Sequence, residues 1–330
     1  MNNKNFFFWP GVFASQLMIN SVVIAAQPLD LSTDNLSFVE EPMAFEVAEF
    51  TVLINALLEL SSSRDQDTEA TDNRLSGAVQ ISAERQLSNA ITIGATYLGE
   101  EDGEFEDEIV AYGRGTWGGL AVGNVSKLVE NATERMDGTG KADLTLDNFL
   151  GGLSENGIGY FGRFSAYTLN AVIDEDNNLD VGVTFERPLG NKDYRFTARL
   201  TDADLETIDG TDFDTKGIAL VAELIYGSLL TDMAFGYEKL EAGSVSFDRQ
   251  YLSAGAIYKQ NRWSFSIEGH IGEIEDQDES GYSLGIRYDI SRGLSANLGF
   301  NHTDSAINLV GIQLTDQDSN EIIFSIRYEF

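Results

Sequence analysis

The sequence predicts an all-β chain that closes into a transmembrane antiparallel β-barrel of about sixteen strands. Three observations lead to this prediction. Apolar and polar residues alternate along most of the chain, short turns alternate with long acidic connections, and the chain ends in an amphipathic strand closed by an aromatic residue. A period of two residues describes a β-strand with one apolar and one polar face. A barrel with lipid outside and water inside requires strands of this kind.

The terminal strand shows the pattern most clearly, because residues 322, 324, 326, 328 and 330 are all apolar or aromatic and their neighbours are mostly polar. Similar segments precede it. Their apolar sides fall in residues 50–60, 75–83, 91–97, 106–114, 120–122, 158–160, 167–171, 179–185, 194–200, 218–226, 233–237, 252–258, 263–271, 282–290 and 294–300. The segment at 106–114 is poorly phased. The alternative, a soluble β-sandwich, would need two domains joined by a linker, and the sequence shows no linker.

The connections between these segments differ in length and charge. Short connections recur at 86–89, 115–118, 164–165, 188–191, 227–228, 259–261 and 291–293, and acidic ones at 63–73, 100–105, 202–215, 273–280 and 304–319. Short turns at one rim and long loops at the other are typical of outer-membrane barrels. The C-terminus falls at the short-turn rim, which predicts that both ends of the chain lie in the periplasm.

Residues 1–26 have the pattern of a cleavable export signal. Lys4 precedes a mostly apolar stretch, and Ala25 and Ala26 offer small residues for cleavage after either one. An uncleaved helix is the alternative. We therefore expect a signal peptide at 1–26, an acidic segment at 27–44 and the barrel domain at 45–330, in the cell outer membrane.

The charge of the chain is strongly negative. Removing residues 1–26 takes away one lysine and no acids, so the formal charge changes from −33 to −34. Such a surface repels nucleic acid, and it repels anionic lipid unless divalent cations bridge the two, whereas it attracts cations. The absence of cysteine fits an oxidising envelope.

The polar faces of the segments carry many charges, among them Glu59, Asp180, Glu238, Arg195 and Arg327. Burying such charges in a dry interior costs several kcal/mol each unless they are paired. About sixteen strands also enclose a lumen too wide for side chains to fill. Both considerations predict a water-filled channel.

One connection, at 125–156, is far longer than the others, and loops of this length are commonly functional. Ser126 is suited to cap a short helix at 127–136. By strand count this connection is the third loop at the long-loop rim.

The chain resembles the Gram-negative general diffusion porins. The resemblance is carried by the turn and strand at 117–123, the long third loop, the start of a strand at 155–160, and the terminal Phe330. It implies an inward-folded third extracellular loop whose acids face arginines on the opposite wall, a homotrimer, and a terminal strand recognised by the barrel assembly machinery. The other expected partners are outer-membrane lipid and lipopolysaccharide, and small hydrophilic solutes and cations.

Carried over residue by residue, the resemblance predicts both sides of a pore constriction and an assembly signal at Phe330. The loop side comprises Glu130, Glu134, Asp137, Asp143 and Asp147. On the pore wall, the resemblance is matched by arginines of inward phase, Arg74, Arg163, Arg195 and Arg199. The inward phase of the strands adds the wall acids Glu223, Asp232 and Glu268. Because acids exceed bases on the inward positions, the chain departs from a balanced arginine cluster, and we expect a preference for cations over anions. The alternatives are a plugged barrel that acts as an adhesin or structural protein, and a substrate-specific channel.

Signals for other functions are weak. Residues 113–118 match a dinucleotide fingerprint, but a β-segment follows where that motif needs a helix. Residues 174–180 and 209–214 are acidic enough for adventitious divalent binding but lack the full pattern of a calcium loop. The two histidines, His270 and His302, lie too far apart in sequence to suggest a zinc pair. We therefore expect no catalytic site, no resident metal and no cofactor.

Overall fold

The computed structural model is an antiparallel β-barrel. It describes residues 43–329 except 67–69, 89, 102–104, 127, 130–134, 136–137, 143, 145, 147, 155, 207–211, 276, 306–307, 310–311 and 314–316. The expected signal peptide at 1–26, nearly all of the acidic segment and Phe330 lie outside the described residues. No helix in the described part of the chain is long and apolar enough to cross a membrane.

Sixteen strands form the closed ring, and one further strand pairs with its first member. The strands are β1 Met43–Val47, β2 Phe50–Asp65, β3 Thr71–Ser88, β4 Ile91–Glu101, β5 Phe105–Gly115, β6 Gly118–Asn124, β7 Asn156–Phe164, β8 Tyr167–Asp174, β9 Leu179–Leu189, β10 Lys192–Glu206, β11 Asp212–Tyr226, β12 Leu229–Ala242, β13 Val245–Gln260, β14 Trp263–Ile274, β15 Gln277–Ser291, β16 Leu294–Ser305, β17 Asn308–Leu309, β18 Ile312–Gln313 and β19 Gln317–Glu329. The ring comprises β2 to β16 and β19, and β17 pairs with β18 in a separate two-stranded sheet. The predicted all-β antiparallel barrel of about sixteen strands is therefore confirmed.

The last strand closes the ring against the first. Each strand from β2 to β16 pairs with its neighbour in sequence, β16 pairs with β19, and β19 pairs with β2 from Glu321↔Asp65 to Glu329↔Leu57. Nearer the N-terminal end of β2, the same edge pairs with β1, over Met43↔Ile54 to Val47↔Phe50. Closure supplies a neighbour on both sides of each ring strand, so backbone N–H and C=O groups are satisfied without water.

The outward face is apolar along most strands. Along these strands, exposed large hydrophobic side chains alternate with inward residues that are buried. On β11 and β12 the exposed side chains include Leu220, Met233 and Phe235. Because an aqueous surface would not support a continuous apolar band of this size, we assign this face to lipid.

The inward face is not uniformly polar. An inner apolar cluster comprises Leu57, Ala78, Leu98, Val110, Tyr112, Ala121, Val125, Leu128, Val129 and Val172. This cluster explains why apolar and polar residues do not alternate clearly in the segment at 106–114. On β5, Val110 and Tyr112 point inward while Ile109 points outward, so both faces carry large apolar residues.

Several of the long acidic connections are shorter than predicted, because the strands continue into them. β11 begins at Asp212, β12 reaches Ala242, and β14 and β15 are separated by residues 275–276 alone. The expectation of a loop across 202–215 or 273–280 was therefore wrong. Beyond the apolar band the outward residues of these hairpins are polar, whereas inward Phe213, Leu240 and Phe247 belong to a buried apolar cluster. The pattern with apolar residues on the outward face is therefore inverted there.

A charged residue on the outward face tests which part of the barrel meets hydrocarbon. Leu252 lies on the outward face midway along β13, and Ser246 lies on the same face near the outer tip of that strand. We expect Leu252→Arg to lower the free energy of unfolding by about 2–4 kcal/mol and Ser246→Arg by at most about 1 kcal/mol. Denaturant unfolding in lipid vesicles measures both, and equal effects would contradict the lipid assignment.

Candidate functional site

The connection between β6 and β7, residues 125–155, is the candidate functional element, and we call it the crossing segment. Its first part packs on apolar side chains of the wall. Val125, Leu128 and Val129 belong to the inner apolar cluster, which unites inward residues of β2 to β6 and β8. Leu128 and Val129 are helical. Most of the predicted helix at 127–136 lies outside the described residues, so that helix stays a prediction.

Arg135 ties the crossing segment to two acids of the wall. Its Nη1 lies 2.9 Å from Asp232 Oδ1 on β12, and its Nη2 lies 3.2 Å from Glu268 Oε1 on β14. Ser283 on β15 donates to the other oxygen of Glu268 at 2.7 Å. All three charged side chains are buried. Hydrogen bonds between charged groups are shorter and stronger than those between neutral groups.

The next turn of the crossing segment lies against β14, β15 and β16. The Thr139 amide donates to Ser266 Oγ at 2.8 Å, and Asn301 donates to the Lys141 carbonyl at 3.2 Å. A Cβ atom on Gly285 or Gly299 would overlap the carbonyl oxygens of Thr139 and Lys141. Glycine at these wall positions therefore permits the two backbones to approach.

Gly140 makes this close approach possible from the other side. It has φ +68°, a left-handed conformation that glycine adopts without strain, and a Cβ here would overlap the backbone of Ile286. On the far side of the turn, Lys141 Nζ lies 2.8 Å from Glu59 Oε2 on β2. The turn thus connects the β14–β16 wall with β2, the strand against which β19 closes the ring.

Arg249 on β13 binds backbone carbonyl groups in the next part of the crossing segment, at residues 146 and 148. It donates to the Asn148 carbonyl at 2.7 Å and to the Leu146 carbonyl at 2.5 Å, while its Nε donates to Glu279 Oε1 at 2.9 Å. The side chain is 1% exposed. One guanidinium therefore bonds the wall and the segment at once, which its fixed fork of donors allows.

Glu238 on β12 completes this arrangement. It lies 3.6 Å from Arg249 Nη1 and accepts hydrogen bonds from the backbone amides of Leu150 at 3.0 Å and Gly151 at 3.1 Å. The adjacent Phe149 ring lies 5.1 Å from the guanidinium of Arg199, which also donates to Asp180. Main-chain donors and a cation over a ring thus position residues 149–151 against β10 and β12.

The end of the crossing segment is attached near the outer rim. The Ser154 amide donates to Asp174 Oδ2 at 2.7 Å, and Gly152 forms an isolated bridge with Asp204. Asp174 also accepts from the amides of Asp176 and Asn178. The Asp174 carboxylate therefore accepts hydrogen bonds both from amides of its own turn and from the end of the crossing segment. No group of three or more histidine, aspartate or glutamate side chains arranged for metal binding occurs among the described residues.

The structure brings a serine, a histidine and a glutamate together, which the sequence did not indicate. Ser253 Oγ lies 2.8 Å from His270 Nδ1, and His270 Nε2 lies 3.2 Å from Glu279 Oε1. A hydrolase triad also links serine, histidine and an acid, but there the serine bonds Nε2 and the acid bonds Nδ1, so the two ring nitrogens are exchanged here. In addition, Ser253 is 0% exposed and Glu279 is bonded to Arg249, so a substrate carbonyl has no route to the serine. We interpret the three residues as part of the network that supports the crossing segment.

The predicted wall residues fall into three groups. Asp232 and Glu268 meet at Arg135, and Arg199 contacts the crossing segment through Phe149. Arg195 and Glu223 pair with each other at 3.1 Å on the inward face.

The third group lies away from these contacts. Arg163 is near the short-turn rim, 3.5 Å from Glu186, and Arg74 is exposed near the outer end of β3. The five predicted loop acids, Glu130, Glu134, Asp137, Asp143 and Asp147, lie outside the described residues, so their positions stay predictions.

The main contacts that the sequence reasoning missed are those of Arg249, Glu238, Glu279 and Lys141. Arg249 lies four residues before Ser253 and points inward like it. Continuing the two-residue alternation of β13 toward its outer end would therefore have identified Arg249 as an inward residue. Lys141 gave no such signal, because its contact with Glu59 depends on the path of the crossing segment. In the described contacts, cations of the segment meet acids of the wall on which the segment packs. The predicted polarity between the loop acids and the opposite wall stays a prediction.

The inward charges are mostly paired with each other and buried. Besides the pairs above, Arg114 donates to Glu84, which also accepts from Tyr112, and Arg327 contacts Glu59 and Glu329. The expectation that water would be the main partner of these groups was therefore wrong for this part of the wall. Pairing offsets much of the desolvation cost, whereas removal of one partner leaves a buried charge that is strongly destabilising.

Comparison with solved structures supports the fold, whereas the sequence comparisons found no match. No family model matches the sequence, and no curated protein matches it. Among solved structures, the trimer form of OmpT, an outer membrane protein of Vibrio cholerae, is similar with a TM-score of 0.68 and 13% identity over 85% of this chain and 99% of that chain.

Two further solved structures are similar to a comparable degree, and the second of them is described as a porin. OmpF of Salmonella typhi, in complex with daunomycin, has a TM-score of 0.65 and 10% identity over 87% of this chain and 100% of that chain. An anion-selective porin from Comamonas acidovorans has a TM-score of 0.61 and 15% identity over 86% of this chain and 100% of that chain. At these identities the likeness establishes the fold, and function has to be argued from the site.

Replacing Arg249 tests whether the network holds the crossing segment. Arg249→Met would leave Glu238 and Glu279 without their guanidinium, and we expect a loss of about 3–5 kcal/mol in the free energy of unfolding. We also expect faster trypsin cleavage after Arg135 and Lys141 in the folded barrel, because the carbonyls of Leu146 and Asn148 lose their donor.

The control is Arg287→Met, since Arg287 is partly exposed and pairs with Asp289 at 2.9 Å without contacting the described part of the crossing segment. We expect that change to cost about 1 kcal/mol or less. Unchanged proteolysis in Arg249→Met would refute the holding role of this arginine.

Proposed function

We propose that this protein is a porin-like channel of the cell outer membrane through which ions and small hydrophilic solutes diffuse passively. The observation that carries the proposal is a closed ring of sixteen strands with an apolar outer face, a charged inner face and a long connection bonded to the inner wall. A ring of this size encloses more space than its own side chains fill. Passage through such a space needs weak interaction at each point and no tight binding site.

The crossing segment is the proposed constriction. Its described residues from Arg135 to Gly151 contact β10 to β16 and β2, and those strands make up about half of the ring. A segment bonded to the inner wall over this part of the ring narrows the lumen. In the proposed constriction, Glu130, Glu134, Asp137, Asp143 and Asp147 would present their carboxylates to passing solutes.

The proposed channel prefers cations over anions. The support is the excess of 54 acidic over 21 basic residues and the pairing of most described inward arginines with carboxylates. Paired arginines contribute little positive potential, so acids at the segment and the outer loops dominate the field. Ion preference is a property of side chains and not of the fold, since one of the similar structures is described as anion-selective.

The remaining parts of the proposal concern export and assembly. Residues 1–26 would be removed as a signal peptide, Phe330 would serve the assembly machinery, and three copies would associate in a membrane that contains lipopolysaccharide. Support comes from the apolar outer face, from the position of β19 as the closing strand, and from the similar OmpT structure described as a trimer form. The proposed channel has no enzymatic activity, no cofactor and no resident metal.

The second candidate is a barrel whose lumen is closed, with a surface-binding or structural role. The observation that favours it is the extent of burial inside, where apolar clusters and ion pairs both involve the crossing segment. A channel specific for one solute is less well supported, because described inward aromatics such as Tyr112, Phe213 and Phe247 are packed in clusters and do not line a continuous path.

Planar-bilayer recording of the purified protein distinguishes an open from a closed barrel. We expect stepwise conductance increments, and a reversal potential in a potassium chloride gradient that has the sign for cation preference. The preference should weaken between 0.1 M and 1 M salt, because the Debye length falls from about 10 Å to about 3 Å. Insertion without conductance would favour the closed barrel, and a reversal potential of opposite sign would refute cation preference.

Neutralising the five loop acids tests the constriction. The variant replaces Glu130 and Glu134 by glutamine and Asp137, Asp143 and Asp147 by asparagine. We expect a fall in the cation-to-anion permeability ratio of about tenfold at low salt, since several nearby charges are removed. The control neutralises five acids of the outer rim in the same way, namely Asp202, Asp212, Asp214, Glu273 and Glu275. An equal effect of both variants would show that the crossing segment has no special role in selectivity.

A further inference from the structure

A row of inward residues runs across eight neighbouring strands. The pairing register places directly beside each other Glu186 on β9, Arg195 on β10, Glu223 on β11, Asp232 on β12, Gly255 on β13, Glu268 on β14, Ser283 on β15 and Asn301 on β16. Adjacent inward side chains of a sheet lie close enough to interact. The row therefore acts as one electrostatic unit, and we call it the charge row.

The charge row contains one gap. Gly255 has no side chain, although the positions on both sides of it, Asp232 and Glu268, carry carboxylates. Arg135 of the crossing segment occupies the space above this glycine. A Cβ atom on Gly255 would lie 2.5 Å from Arg135 Nη1 and 3.1 Å from the Asp232 carboxylate oxygens. The guanidinium thus stands where a wall side chain would otherwise be.

We propose that Arg135 is a specificity-determining residue of the channel, seated over Gly255 as the missing cation of the charge row. The inference rests on the proposed channel function and adds a residue to it. Without Arg135, the row would carry the four carboxylates of Glu186, Glu223, Asp232 and Glu268 against the guanidinium of Arg195, with Arg163 near Glu186. Arg135 removes one negative charge from the wall at the level of the crossing segment and thereby limits the cation preference.

The same geometry explains why the cation comes from the crossing segment and not from the wall. Asp232 and Glu268 are separated by one intervening strand, and the two guanidinium nitrogens reach one acid each, at 2.9 Å and 3.2 Å. A bidentate cation held between two acids positions the segment and sets the local charge together. Residue 135 therefore has both a positioning and an electrostatic role, and an experiment has to separate them.

Relocating the charge separates these roles. The variants are Arg135→Gln and the double variant Arg135→Gln with Gly255→Lys, which returns one positive charge to the row from the wall itself. We expect Arg135→Gln to raise the cation-to-anion permeability ratio about fivefold at 0.1 M salt, and the double variant to restore it to within about twofold of the wild type. A positioning role alone would change conductance in both variants, and the added lysine would not restore the permeability ratio.

The control for loss of a positive charge is Lys239→Gln, at the outer rim next to Glu241 and outside the charge row. Its permeability ratio should stay within about twofold of the wild type. Should Arg135→Gln fail to fold, Asp232→Asn provides the test, because it keeps Arg135 and removes one acid, and the permeability ratio should fall.

The proposal is overturned by an unchanged permeability ratio in Arg135→Gln, by absence of rescue in the double variant, or by a ratio that does not fall in Asp232→Asn. These results differ from failure of the channel function itself, in which the wild-type protein inserts into the bilayer and carries no current. Reversal potentials and single-channel conductance recorded from the same membranes distinguish all of these results.

Discussion

Backbone hydrogen bonding in a medium without water is the constraint on which the rest of this structure depends. In hydrocarbon, an unpaired amide or carbonyl group costs several kcal/mol, so a sheet that crosses a membrane has to close on itself. Closure is made by β19 against β2. Once the ring is closed, every strand has one face toward lipid and one toward the interior, and the alternation of apolar and polar residues follows.

The interior presents the opposite problem, because the polar faces of sixteen strands enclose many charges. The structure resolves it by pairing inward charges with each other and with the crossing segment. Arg135 and Arg249 have complementary roles, since one extends from the segment to wall acids and the other from the wall to segment carbonyls. The segment is thus bonded from both sides, which makes it a fixed part of the lumen wall. Glycines at 255, 285 and 299 provide the room that these contacts need.

How far the candidate site could be predicted varies from residue to residue. Asp232, Glu268, Arg195 and Glu223 were found by phase alone, because a strand with one lipid face shows which residues point inward. Their partners were harder to find. The pairing of Asp232 and Glu268 with Arg135 joins residues 97 and 133 positions apart, and no local pattern records such a contact. The ends of the strands were also missed, because at those ends the outward residues are polar and the inward residues form a buried apolar cluster, which inverts the pattern.

The sequence by itself determined the class of fold, the number of strands in the ring and the identity of most inward residues, because each depends on a period of two that lipid imposes on one face. The tertiary structure alone decided which charges meet, where the crossing segment lies against the wall, and that part of the inner face is apolar. These features depend on register and ring closure, which bring together residues from distant strands. The contact of Arg135 with the wall acids belongs to this second group, since it arises where a loop cation fills the space above a wall glycine.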